Sequence, residues 1–202
     1  MNMRKKIKPL TIGFLCLFFS ACNITVTSED GTTEISIEQD QISQLPLNNF
    51  TRHFVEDATA RKAVCNDGTP AAFYFQKGNL NNDEELLEQN KWVIFLKGGS
   101  SCSSDEDCIA RMEEDNLDLK EGKWKHRMTS KHYIPEATFG GIFNNDPNLN
   151  KDFHNFNKVF IMYCSSDTWV GDKEKGDGLF HFRGKRIVTE VINDLKKYFR
   201  LD

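Results

Sequence analysis

Lys91-Trp92-Val93-Ile94-Phe95-Leu96-Lys97-Gly98-Gly99-Ser100-Ser101-Cys102 is the stretch on which the fold turns. Its apolar run is continuous from Trp92 to Leu96 and stops at two glycines. A strand with one wet face alternates polar and apolar residues. An unbroken run of this length predicts a strand covered on both faces, as in a parallel sheet. A second stretch, Asn157-Lys158-Val159-Phe160-Ile161-Met162-Tyr163-Cys164, repeats the pattern and also ends in a polar loop, Ser165-Ser166-Asp167-Thr168-Trp169-Val170-Gly171-Asp172.

Residues 183–199 carry Ile187, Val188, Val191, Ile192, Leu195 and Phe199 at helical spacing, which defines one apolar face. Lys196, Lys197 and Arg200 sit where the helix dipole favours cations. Two buried strands, loops at their carboxyl ends and a covering helix predict an α/β sheet. Ligands bind outside the carboxyl ends of strands in such sheets. The loops 98–102 and 165–172 are therefore the expected functional edge.

Working outward, Ala63-Val64-Cys65 and Ala72-Phe73-Tyr74-Phe75 flank Asn66-Asp67-Gly68-Thr69-Pro70, which predicts a β-hairpin closed at Asp67-Gly68. Residues 81–89 read as a loop or short surface helix, and 105–112 as a short helix with Asp105 near its N-terminus. Residues 117–149 hold Pro135, Gly140-Gly141 and Pro147 and read as a long irregular region, the kind that is usually functional or poorly ordered.

The N-terminus reads as an export signal over 1–22: Arg4, Lys5, Lys6 and Lys8, then an apolar run over 10–19, too short to span a membrane. Phe19-Ser20-Ala21-Cys22 looks like a bacterial lipobox, with Cys22 the residue to be lipidated, although Phe19 stands where leucine is usual. The plainer reading is a cleaved signal with a cysteine near the cut. Residues 23–55 follow as a polar tether, in which Ile35 and Ile37 alternate as in a short edge strand. Residues 56–202 form the expected folded domain.

The net charge is −4 and no Lys/Arg stripe lies outside the signal, which argues against nucleic-acid binding. The acidic clusters 105–107 and 113–115 read as solvated faces. Beyond Cys16 and Cys22, four cysteines remain, an even number that points to two disulfides in an exported chain. Three pairings are open. Cys102 and Cys108 can meet locally, which leaves Cys65 with Cys164. A zinc site is the runner-up, without a Cys-x-x-Cys or close histidine pair to support it.

The string 92–102, continued through Asp105-Glu106-Asp107-Cys108 to Arg111, resembles the pectin acetylesterase/Notum family. So do Cys65-Asn66-Asp67-Gly68-Thr69-Pro70 before Phe73-Tyr74-Phe75, and Asn157-Lys158-Val159-Phe160-Ile161 before Tyr163-Cys164-Ser165-Ser166-Asp167. Trp169, Gly171-Asp172 and Phe180-His181-Phe182-Arg183-Gly184 complete a series in order over about residues 60 to 200.

The resemblance implies a truncated α/β-hydrolase-like sheet with covering helices and long loops. It implies carboxylester hydrolysis of an acylated carbohydrate or other ester by a Ser-His-Asp triad, with no metal or organic cofactor and no membrane contact beyond a lipid anchor. By resemblance, the backbone N–H groups of Gly99 and Ser100 form an oxyanion hole and Gly98 permits the turn. Without the family, Gly98-Gly99 is only a tight strand exit. Ser100-Ser101 stands where the family often has an aromatic residue, which implies a less apolar pocket and favours a small acyl group. Asp167 is expected to organise the pocket loop, and Trp169 to pack or to stack on a sugar.

No Gly-x-Ser-x-Gly occurs, and Ser165 or Ser166 with His181 and Asp172 is composition rather than a triad. His53, His126, His132, His154 and His181 read as surface or loop residues. In the family, the helix that ends here near Phe199 leads to the serine. The expectation is a chain without esterase activity by itself that folds poorly, as a fragment, a frameshifted product or half of a split gene. The alternative is a non-catalytic exported glycan-binding module or structural envelope lipoprotein.

Overall fold

The computed structural model describes the backbone of residues 11–17, 21–28, 31–38, 49–78, 90–120 and 126–201, and side chains from residue 49 on except those of 118–120. The charged residues 4–8, Phe19-Ser20 of the lipobox-like string, tether residues 39–48 and the acidic stretch 81–89 lie outside the described residues.

The chain divides into two units, Met1–Pro46 and Leu47–Asp202. In the first, β1 (Thr11–Leu17), β2 (Ala21–Ser28) and β3 (Gly31–Glu38) form an antiparallel three-stranded sheet in that order. β2 and β3 pair from Ala21↔Glu38 to Ser28↔Gly31. Thr, Val and Ile in these strands suit extended backbone, and Ile35 and Ile37 both fall in β3.

The second unit is built on a five-stranded mixed sheet. Its strands are β4 (Asn49–Phe54), β5 (Ala72–Gln76), β6 (Trp92–Leu96), β7 (Glu136–Thr138) and β8 (Asn157–Ile161), in the order β6-β8-β5-β4-β7. Only β6 and β8 run parallel. β8 pairs antiparallel with β5, β5 with β4, and β4 with β7. The parallel sheet expected from the apolar runs is thus one parallel pair at the edge of an antiparallel array.

Side chains alternate across this sheet with the period of two that strand geometry dictates. Phe73, Val159 and Ile161 face α2 (Gly184–Phe199), which supplies Ile187, Val191 and Leu195. Ala72, Tyr74, Phe160 and Met162 face the other way, against Tyr133, Phe139 and Phe143 from the long 117–149 segment. Residues 126–149 of that segment are organised around β7 and a 3-10 turn at Gly141–Phe143 and cover a sheet face rather than standing as an irregular loop. The Phe139 and Phe160 rings stack at 4.1 Å.

Arg61 ties α2 to the chain entering the sheet: its Nη1 donates to Asp194 Oδ1 at 2.5 Å and its Nε to Glu190 Oε2 at 2.9 Å. Glu56 N–H donates to the other Asp194 oxygen at 2.8 Å.

Three further sequence expectations change. The 63–65 segment is no strand; it contributes a single bridge, Val64 to Pro70, and β5 finds its partners in β4 and β8. The helix expected over 105–112 extends to Lys120 and becomes α1 (Asp105–Lys120). β6 is not covered on both faces: Ile94, Phe95 and Leu96 are 37%, 41% and 40% exposed, because among the described residues β6 pairs only with β8. β8 takes the role expected of both strands and is buried at every residue.

Candidate active site

Because β6 and β8 are parallel neighbours, their carboxyl ends lie side by side and the loops that leave them must meet. Cys102 N–H donates to Ser166 O at 3.2 Å, and the Trp169 indole Nε1 donates to Lys97 O at 3.2 Å. The two loops singled out in the sequence therefore form one structure.

The first loop, 98–102, is exposed as far as Ser101. Neither glycine adopts a left-handed φ. A Cβ at Gly98 would meet nothing within 4 Å, so the turn-permitting role expected of Gly98 is not imposed by space or by backbone angle. The constraint falls on Gly99, where a Cβ would lie 2.2 Å from the Tyr163 ring. The Gly99 and Ser100 N–H groups donate to no described residue. They are exposed donors at the end of a strand, available to a developing negative oxygen.

The second loop is held where most side chains are strained. Ser166, Thr168 and Trp169 have φ of 49°, 56° and 69°. Left-handed non-glycine residues cost on the order of 1–3 kcal/mol each and persist where surrounding bonds over-determine them. Asp167 supplies those bonds. Its Oδ1 accepts from Ser165 Oγ at 2.6 Å and Trp169 N–H at 3.1 Å, and its Oδ2 accepts from Gly184 N–H at 2.7 Å. The last contact places a carboxylate at the N-terminus of α2, where the helix dipole favours it. A Cβ at Gly171 or Gly184 would approach an Asp167 oxygen to 2.5 or 2.2 Å, so both glycines make room for this carboxylate.

Trp169 is half-buried and its ring lies 5.0 Å from that of Tyr163. Tyr163 OH accepts the Thr168 N–H at 2.7 Å, and burial pushes its phenol above the ordinary range. Trp169 thus packs on Tyr163 and bonds the first loop. Tyr163 is central to the site: its ring touches the first loop and its hydroxyl braces the second. Sequence reading assigned it no role, and its place beside Cys164 was the available signal.

The disulfides Cys65–Cys164 and Cys102–Cys108 hold both loops at their bases, with Cα separations of 4.9 and 5.2 Å. Asn66 reinforces the first: its Nδ2 donates to Ser165 O at 2.9 Å and to His181 O at 2.6 Å. The Asp67-Gly68 turn has the expected left-handed glycine, φ 84°. Burial alone would raise the Asp67 carboxyl, but bonds from Thr69 hold it below its ordinary range.

The histidines are not all at the surface. His126 is 2% exposed, and His53 lies on β4 with its ring stacked 5.5 Å from Phe73. Burial lowers the affinity of His53 for its proton. Cys22 lies in β2 of the first unit, with Ile37 and Cys16 as its backbone partners.

A mixed sheet with parallel strands ending at a braced pair of loops, free backbone donors on one of them and helices packed around it defines an α/β-hydrolase-like fold. The pectinacetylesterase family model matches residues 44–201, and the chain belongs to that family. Its relatives are carboxylesterases. It is 36% identical over 132 residues to palmitoleoyl-protein carboxylesterase NOTUM of Schmidtea mediterranea, covering 65% of this chain and 22% of that protein. It is 31% identical over 144 residues to pectin acetylesterase 11 of Arabidopsis thaliana, covering 70% and 32%. The structure of the Wnt deacylase Notum from Drosophila superposes with a TM-score of 0.59 at 29% identity, covering 75% of this chain and 39% of that one. The matched part of the chain thus spans about a fifth to a third of the length of these curated relatives.

Proposed function

We propose that this chain supplies the oxyanion-hole side of a carboxylester hydrolase site. The observation that carries the reading is the pair of exposed, unengaged N–H groups on Gly99 and Ser100, set against a loop that Asp167 locks in place. Such donors stabilise the oxyanion of an acyl-transfer intermediate, and losing one typically slows an enzyme of this kind by roughly 100- to 1,000-fold.

Ser100 and Ser101 give the site a polar wall, which favours a small acyl group such as acetyl on a carbohydrate. The engagement of Trp169 with Lys97 O and Tyr163 supports the esterase reading over a glycan-stacking role. Two disulfides support an exported protein, and the signal-like pattern over 1–22 with Cys22 as the residue to be lipidated extends the reading to envelope attachment.

The sequence contains no Gly-x-Ser-x-Gly, and residues 23–202 alone are expected to be inactive. Hydrolysis of p-nitrophenyl acetate by residues 23–202, beside the same chain extended through any downstream reading frame, tests this. Activity confined to the extended chain supports the reading. Turnover by residues 23–202 well above background overturns it.

A further inference from the structure

β6 lies at the edge of the five-stranded sheet, and among the described residues β8 is its one partner strand. The bonds at its two ends show how its backbone is turned. Asn157 N–H donates to Lys91 O at 3.0 Å, and Lys97 N–H donates to Ile161 O at 3.1 Å. A parallel ladder uses alternate residues, so Val93 and Phe95 also turn their N–H and C=O groups to β8. Those of Trp92, Ile94 and Leu96 therefore point out of the sheet, where no described backbone group meets them.

Both faces of this edge are apolar. Ile94 and Leu96 pair with Val159 and Ile161 and so share their face, which α2 covers over β8. Phe95 stands on the opposite face, its ring 5.1 Å from Phe160 and 5.6 Å from Phe143. All three β6 side chains are more than a third exposed. An open edge of this kind is a template for another strand.

Charge and backbone parity decide which strand fits. In an antiparallel pair, outward-pointing residues must lie opposite one another as hydrogen-bonded pairs. A two-fold pair of β6 strands centred on Ile94 obeys this but sets Lys91 of each copy opposite Lys97 of the other, two like-charge pairs that disfavour it. Centred on Phe95, the pair obeys the same parity and sets Lys97 opposite Val93 instead. Ile94 and Leu96 then lie opposite each other on both sides of the axis, exchanging about four N–H···O bonds in all. The two Phe95 residues meet at the axis as a non-hydrogen-bonded pair, the arrangement in which side chains come closest.

We infer that β6 is a self-association edge: a second copy of this chain adds antiparallel across Phe95 and joins two five-stranded sheets into one. The pairing runs from Val93 to Lys97 and stops short of Gly99, so it leaves the Gly99 and Ser100 N–H groups free. The proposal does not rest on the esterase reading, because oligomeric state is measured whether or not the chain hydrolyses an ester.

The test is sedimentation velocity of the chain as purified, across micromolar concentrations. The expected result is a reversible monomer–dimer equilibrium. Ile94→Pro removes an outward donor and spares the β8 ladder, since proline is tolerated where an edge N–H faces solvent. It is expected to weaken the dimer about tenfold or more. Phe95→Cys is expected to form an intermolecular disulfide that the parent chain lacks, because the two Cα atoms lie about 4.5 Å apart at the axis. Val93→Cys, which faces Lys97, is expected to form none. A monomer throughout the range overturns the proposal and leaves the edge to a different strand. Open-ended aggregates overturn it too, since a two-fold pair closes on itself. So does a dimer that Ile94→Pro leaves intact, or one that cross-links through Val93→Cys as readily as through Phe95→Cys. The cross-link decides the matter if Ile94→Pro fails to fold.

Discussion

The two loops that make the site are built on opposite plans. The 98–102 loop has no left-handed residue, leaves its central N–H groups unengaged and is held by Gly99 against Tyr163 and, at its base, by the Cys102 bond to Ser166 O and the Cys102–Cys108 bridge. The 165–172 loop holds three left-handed non-glycine residues, and Asp167 accepts from Ser165 Oγ and Trp169 N–H within it and from Gly184 N–H on α2. Free donors need a rigid backing to stay aimed without their own bonds. The strained loop is that backing, and Tyr163 joins the two.

Breaking the bases of the loops should have the largest effect. Cys65–Cys164 closes 99 residues and Cys102–Cys108 closes 6. Chain entropy predicts about 4–5 kcal/mol for the first and about 2 for the second. Replacing each pair by alanine and measuring urea unfolding should show the first loss clearly larger; equal losses would refute this ranking.

Next comes Asp167→Ala, which leaves Ser165 Oγ and the Trp169 and Gly184 N–H groups without their acceptor. The cost should be about 3 kcal/mol, with exchange of amides 165–172 accelerated while amides in β5 change only as far as global stability does. Uniform acceleration would show that Asp167 does not lock the loop selectively.

Gly99→Ala drives a Cβ into Tyr163 and should cost about 2 kcal/mol, whereas Gly98→Ala should stay within about 0.5 kcal/mol. If Gly98→Ala is the more damaging, the first loop is constrained differently from this account.

The smallest effect concerns β8 beneath the loops. Lys158 is fully buried, its Nζ donating to Asn145 Oδ1 at 2.5 Å and His154 O at 2.6 Å, and burial lowers its pKa to about 8. The unfolded lysine titrates near 10.4. Between these values the unfolded chain binds more protons, so the stability penalty is full below pH 8 and shrinks as pH rises. Relative to Lys158→Met, the parent chain should gain about 1 kcal/mol from pH 7.5 to 9. A flat difference between the two would place the Lys158 pKa near its ordinary value.

Much of this was legible beforehand. The strands β6 and β8, the helix α2 and the meeting of two polar loops follow from apolar runs and helical spacing. Other parts left weak marks. β7 has three residues and exists only because β4 pairs with it. β4 reads Asn-Phe-Thr-Arg-His-Phe, with Phe50 alone fully buried, so it resembles the polar stretch before it. The second half of α1 lacked an apolar stripe because, among its described side chains, the buried one is Asp115. The exposure of β6 depends on which strands flank it, which a local hydropathy pattern does not encode. At the site, the glycine pair pointed to backbone chemistry, but the burden on Gly99 rather than Gly98 is set by Tyr163, more than sixty positions away.

The Cys65–Cys164 bridge encloses the Cys102–Cys108 bridge entirely. During synthesis, the four bridged cysteines emerge in the order 65, 102, 108, 164. An oxidant that joined thiols in order of arrival would link Cys65 to Cys102 and strand Cys108 until Cys164 appeared. The native pattern requires Cys65 to wait as a thiol until the strand before Cys164 has been made, or requires an early wrong bridge to be undone. Yield in an oxidising compartment should therefore depend on a thiol-exchange catalyst more than on the oxidant itself.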